Sequence, residues 1–151
     1  MKYIAHRGLT EGPDRSLENR PEQILKSLSE GFDCEIDLWL VNSDFYLGHD
    51  SPEYPINMNW LDRLGLWIHA KNLAALRWLT TTDLEYFWHQ EDDFTLTSHN
   101  YIWTYPGKEL TQRSIMVVPE RIDKTLYHAI NASCYGVCSD YVKAISLGQL
   151  Q

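Results

Sequence analysis

The chain has 151 residues, enough for one domain with a real core, and its 44% hydrophobic and 13% aromatic content is that of a globular protein, not a disordered one. Its 21 acidic against 13 basic residues give a formal net charge of -8, a field that repels polyanions, so neither nucleic acid nor an anionic membrane is expected as a partner. The start MKYIAHRG lacks a signal peptide's apolar core, no apolar run approaches a membrane span, and Cys34, Cys134 and Cys138 lack metal-finger spacing, which together lead to the expectation of a cytoplasmic protein with reduced thiols.

Tyr3-Ile4-Ala5 reads as a short apolar strand ending in His6-Arg7-Gly8. Polar residues followed by glycine at a strand's C-terminal end are how parallel α/β sheets present their sites. Thr10 to Arg15, with Gly12-Pro13, is a loop. A helix follows, capped by Ser16 or Asn19, with Ile24, Leu25 and Leu28 as its apolar positions and Gly31 as its stop.

The stretch from Phe32 to Asp50, FDCEIDLWLVNSDFYLGHD, carries the densest chemistry. Alternation by two puts Glu35, Asp37 and Trp39 on one face of a strand and Ile36, Leu38 and Leu40 on the other. Asn42-Ser43-Asp44 is turn chemistry, and Phe45-Tyr46-Leu47 begins a return strand. A turn centred on Ser43 sets Asp37 opposite His49 and aims Glu35, Asp37 and His49 into one space. Two carboxylates beside an imidazole suit a hard divalent cation with a proton-transfer group next to it. Cys34 is read as packing within the strand.

Ser51 to Asn59, rich in proline and asparagine, reads as a loop over that space. Leu66 to Asn72 is a buried strand whose end turns polar, with His69 and Lys71 on one face, and a helix starts just after Asn72. Further strands are read at Leu84 to His89, Phe94 to Thr97, Tyr101 to Thr104, Ser114 to Val118 and Tyr135 to Cys138, and Ile122 to Ile130 has helical spacing. The tail beyond Ala144 is weakly specified. About eight strands with helices after several of them imply one α/β domain over residues 1–151 with a mainly parallel sheet. Because an ordinary (β/α)8 TIM-type barrel uses roughly 250 residues, the expected fold is a compressed or incomplete one.

His6-Arg7-Gly8, Glu18-Asn19, Glu35-Ile36-Asp37 and Gly48-His49-Asp50, in this order, resemble the glycerophosphodiester phosphodiesterase family, which shares a barrel superfamily with the phosphatidylinositol-specific phospholipases C. GFDCEID at residues 31–37 is similar to the family's glycine and acidic-strand signature, and Tyr135 to Tyr141 to its closing strand; the middle of the chain matches poorly. The resemblance implies that His6 and His49 are an acid/base pair, that Arg7 and Lys71 bind phosphate, and that Glu35 and Asp37 hold a divalent metal, magnesium or calcium first and manganese next. Where the family supplies a further glutamate two residues before the lysine, this chain has His69, a third ligand that removes one negative charge and favours softer ions. The implied reaction is metal-dependent hydrolysis of a small phosphodiester bearing glycerol or a sugar.

Glu18, Asn19, His89, His99, Trp103, Glu120 and Asp140 complete the residues read as lining the substrate site. His89 and His99 end strands, Glu120 follows one, Asp140 orients a basic group, and Trp103 offers a ring for a sugar. Glu120 also reads as a helix N-terminal acid, and His128 is given no role. Two other readings stay open: a non-catalytic barrel that binds a sugar phosphate, and a lyase or isomerase on a phosphorylated sugar. A barrel this small is also compatible with a homodimer.

Overall fold

The computed structural model describes residues 1–122 and 134–149. The helical spacing read from Ile122 to Ile130, with His128 in it, lies outside the described residues beyond Ile122. Ten strands form one curled sheet of mixed direction: β1 (Lys2–Ala5), β2 (Asp33–Val41), β3 (Asp44–Leu47), β4 (Tyr54–Ile56), β5 (Leu66–Ala70), β6 (Tyr86–Phe87), β7 (Phe94–Leu96), β8 (Ile102–Thr104), β9 (Ser114–Val117) and β10 (Gly136–Ser139). Three short α-helices stand among the described residues: α1 (Pro21–Ser29), α2 (Leu73–Leu79) and α3 (Val142–Ser146).

The organising strand is β2. It pairs in parallel with β1 through Asp33 and Cys34, in parallel with β5 through Cys34 to Leu38, and antiparallel with β3 through Leu38 to Val41. Parallel pairing continues from β5 to β6 and from β1 through β10 and β9 to β8. The strands β4 and β7 are antiparallel additions at the margins. Ser98 donates its backbone N–H to Tyr86 O at 2.9 Å and its hydroxyl to Leu84 O at 2.9 Å, drawing the β7–β8 end of the curl toward β6.

Alternation along β2 divides the interior. Cys34, Ile36 and Leu38 pack outward against Ile24 of α1 and Ala75 and Leu79 of α2, while Ile4, Trp67, Phe87, Trp103, Ile115 and Cys138 fill the inside of the curl. The helices form where their ends are specified. Pro21 occupies the first turn of α1, where its missing N–H costs nothing, and the Asn72 side chain caps α2 by accepting from Ala75 N at 2.9 Å.

This architecture corrects the expected (β/α)8 barrel: the molecule is a mostly stranded half-barrel, and among the described residues no α-helix follows β2, β6 or β8. The reason is length. A parallel crossover through a helix takes a dozen or more residues, and residues 105–113 between β8 and β9 do not provide them. Residues 88–93 lead instead into a strand that doubles back on β8. The stretch expected as a loop over the site, Ser51 to Asn59, forms β4 and the start of a 3-10 turn (Met58–Asp62), and the weakly specified tail contains the end of α3.

Candidate active site

The parallel strands open their C-terminal ends on one cleft of about 330 Å³. From β1 the chain enters a 3-10 turn at His6–Gly8, with Arg7 in the left-handed region at φ 51. That turn aims the Arg7 backbone N–H at Glu35 Oε2, 3.0 Å away. Gly8, also left-handed at φ 80, lies so close to α1 that a Cβ there would stand 2.9 Å from Ile24 Cγ1.

Asp37 is the hub of the polar side. Register places it beside His69 of β5, and its Oδ1 lies 3.0 Å from His69 Nδ1 and 3.3 Å from Lys71 Nζ. Its Oδ2 accepts from Asn19 Nδ2 at 2.8 Å and lies 3.3 Å from Arg7 Nε. Asn19 answers in the other direction, accepting the Asp37 backbone N–H at 2.9 Å, and Glu18 holds Arg7 from behind at 2.8 Å. Burial opposes ionisation of Asp37, but the approach of His69 and the charges of Lys71 and Arg7 outweigh it and hold the carboxyl below its ordinary range. Glu35 goes the other way: burial, then the neighbouring Asp37 charge, push it up.

Glu35, Asp37 and His69 each offer a ligand atom, all within 4.8 Å of one another. These donors fit a divalent ion on two further counts. Asp37 is 1% exposed, yet its Oδ1 finds no aligned hydrogen-bond donor. Two ligand atoms about 2.1 Å from one ion and at right angles to each other stand about 3.0 Å apart, the spacing of Asp37 Oδ1 and His69 Nδ1.

His6 is fixed from the far side of β1. Its Nδ1 donates to Asp140 Oδ1 at 2.7 Å, because an ionised carboxylate only accepts, and Nε2 is left as the working nitrogen. Asp140 is in turn held by Glu120, whose Oε1 accepts the Asp140 backbone N–H at 2.9 Å and whose two oxygens each lie 3.0 Å from Ser139 Oγ. Glu120 reaches that point because Val118, buried and directly before Pro119, takes φ 35 and ψ 56 and swings the chain across the end of β10.

His49 stands at the rim, its side chain 38% exposed, with Nδ1 donating to Asp50 Oδ1 at 2.7 Å. Burial, then the Arg7 charge, lowers it from its ordinary value. The expected register is corrected by one residue: Asp37 O receives the N–H of Gly48, not His49. Asn42 and Ser43, at φ 50 and 73, make a two-residue turn, and Asp44 already belongs to β3. His49 still lines the cleft because Gly48, at φ 151, redirects the chain where a Cβ would collide with Ser51 O.

The opposite side of the cleft is built mainly of stacked rings and aliphatic groups, with His89 and Arg121 among them. His69 stacks on Phe87 at 5.1 Å, Phe87 on Trp103 at 4.4 Å, and Tyr105 lies 5.0 Å from His89. His89 and Trp103 line the cleft as expected. His99 does not. Because β7 runs antiparallel to β8, the turn between them lies at the other end of the sheet, where His99 pairs with Glu85 at 2.8 Å. Glu18, Asn19, Glu120 and Asp140 hold the residues that line the cleft and are not themselves among its lining. Phe87, Val117, Val118 and Arg121 line it without having been singled out in the sequence; only their places at or just beyond strand ends pointed to them.

Cys34 turns away from the acids, its Sγ 3.7 Å from Ile24 O, and burial pushes its thiol up, which fits packing and not ligation. No helix among the described residues is long and apolar enough to cross a membrane. Comparison with protein-family models, with curated proteins and with solved structures finds no match to this chain.

Proposed function

We propose that this chain is a metal-assisted phosphodiesterase acting on a small polar phosphodiester of glycerol or a sugar, in keeping with its resemblance to the glycerophosphodiester phosphodiesterases. One observation carries the reading: a single cleft receives the imidazoles of His6 and His49, each hydrogen-bonded through Nδ1 to a carboxylate, together with a buried acid pair and the cations Arg7 and Lys71.

Cleavage requires a nucleophile to lose a proton, a leaving alkoxide to gain one, and charge at phosphorus to be stabilised. His49 is neutral near pH 7, because its burial and Arg7 hold it below its ordinary value, and so it accepts the first proton. His6 gives the second from Nε2, while Asp140 keeps the ring in place and faces the charge that comes and goes on it. Arg7 and Lys71 present fixed positive charge to the phosphoryl oxygens. Glu35, Asp37 and His69 would hold the divalent ion, which when bound supplies Lewis-acid stabilisation of a phosphoryl oxygen. The cleft volume, about 330 Å³, lies at the small end for ligand pockets and suits a compact alcohol against the aromatic wall.

A sugar-phosphate binder without catalysis is the second reading. It is favoured by the closing of Arg7 and Lys71 onto Asp37. Phosphorus NMR of glycerophosphodiesters and bis(p-nitrophenyl) phosphate, incubated with the chain and manganese, magnesium or calcium, separates the two. A monoester or cyclic-ester signal that grows with time and stops on chelation is the expected result. Line broadening of the diester with magnesium or calcium and without any product signal overturns catalysis, and conversion of a sugar phosphate, run as a parallel substrate, without diester cleavage points to a lyase or isomerase.

A further inference from the structure

His69 has both ring nitrogens assigned by what they face. Nε2 lies 2.9 Å from the main-chain oxygen of His89, an atom that only accepts, so Nε2 carries the ring proton. In the neutral ring Nδ1 is then a bare lone pair, and 3.0 Å away stands Asp37 Oδ1, another lone-pair donor. A proton on Nδ1 would make the two an ion pair, but it would not give an aligned hydrogen bond, because Oδ1 lies off the direction in which that proton would point. A cation placed where both lone pairs converge does resolve it. The ring is also held in place: Phe87 stacks on one face within 10° of parallel, and the β2–β5 ladder pairs His69 with Asp37 directly.

We propose that His69 binds the metal through Nδ1, locked in that tautomer by the His89 carbonyl, and that it makes the site select a six-coordinate transition dication of the manganese, iron or cobalt kind over magnesium and calcium. The inference rests on the metal reading above and names the ion class of the same site. Two charges follow from the donor set. Glu35 and Asp37 supply two negative charges where an all-carboxylate triad would supply three, and Lys71 and Arg7 beside Asp37 weaken the purely electrostatic pull further. Magnesium and calcium depend on that pull and on oxygen donors, whereas an imidazole nitrogen bonds first-row transition ions more strongly. The hydrogen bond from Nε2 to a carbonyl raises the basicity of Nδ1 and strengthens that preference. The right-angle spacing of the two donors suits six-coordination.

The test takes the full chain, stripped with a chelator, and measures binding of manganese, magnesium and calcium separately by calorimetry. Electron spin-echo spectroscopy of the manganese form then looks for modulation from a directly bound nitrogen. The expected result is one manganese ion per chain, bound at least about 10-fold more tightly than magnesium or calcium and showing nitrogen modulation. His69→Gln is expected to abolish the modulation and to weaken manganese binding about 10- to 100-fold. His69→Glu is expected to narrow the gap between manganese and magnesium. Manganese bound without nitrogen modulation, or magnesium or calcium bound as tightly, overturns the His69 inference and leaves the acid-pair site standing. Failure of all three ions to bind overturns both. The nitrogen signal is read on the unaltered chain, so the outcome does not depend on a variant folding.

Discussion

Where the ends of β1, β2 and β5 meet, polar side chains fix one another through ion pairs and hydrogen bonds centred on Asp37, whereas across the cleft the ends of β6, β8 and β9 contribute stacked rings and aliphatic groups. The first side depends on register: one residue of slip between β2 and β5 would carry His69 to the far face and leave Asp37 without it. The second depends on volume, because a stack such as Phe87 on Trp103 is held by contact area and not by direction. The lesson is that the cleft separates chemistry from shape, so substitutions on its two sides should fail in different assays.

The largest expected effect belongs to the polar side. His6→Ala should lower kcat by about 10²- to 10⁴-fold, with a melting temperature close to that of the parent. A large loss of stability in this variant would erase the distinction between the two sides. On the aromatic side, Trp103→Ala should cost about 3–5 kcal/mol in urea titration and leave manganese affinity of the folded fraction unchanged.

A pH series sharpens the comparison further. In the metal-free chain burial, then the Asp37 charge, raises Glu35 above its ordinary value, so the folded state holds that proton more tightly than the unfolded state. The associated stability is complete below the unfolded carboxylate range, about pH 4, and is lost as pH rises through the raised folded value. Glu35→Gln cannot ionise. In chelator it should therefore be the more stable protein at neutral and alkaline pH, an advantage that vanishes near about pH 4 and reverses when metal is added. Denaturant melts across pH with and without manganese check this. The smallest effect is expected at Glu120→Gln: about a 10-fold fall in kcat with KM unchanged, and broadening of the low-field proton resonance of the His6–Asp140 pair.

Much of the polar side was legible in the sequence because charged residues at the ends of apolar strands stand out. His6, Glu35, Asp37, His69 and Lys71 all fall where alternation by two and strand ends put them. The hairpin register was not legible, since Asn42 declares a left-handed position but Ser43 in the second one hides the two-residue turn that glycine would have announced. His99 was misplaced for a topological reason: strand direction cannot be read from a strand's own composition, and β7 runs the wrong way. The barrel expectation failed because a βα order was extended to connections too short to hold helices. Glu120 reads in the sequence as a residue lining the site or a helix N-terminal acid; its reach to Asp140 depends on the backbone of Val118, which no side-chain pattern records.

That Val118 conformation has a consequence for how the protein can change. A buried β-branched residue at φ 35, ahead of a proline, costs on the order of 1–3 kcal/mol relative to a relaxed backbone. The hydrogen bond from its N–H to Cys138 O, 2.7 Å, is part of what holds it there. Val118→Gly would relieve that strain, since glycine occupies the region freely, but it would also empty a fully buried core position, so it is expected to lower the melting temperature. The same exchange frees the corner that seats Glu120 under Asp140, so core packing and proton placement depend together on a residue that never meets the proton it helps to place.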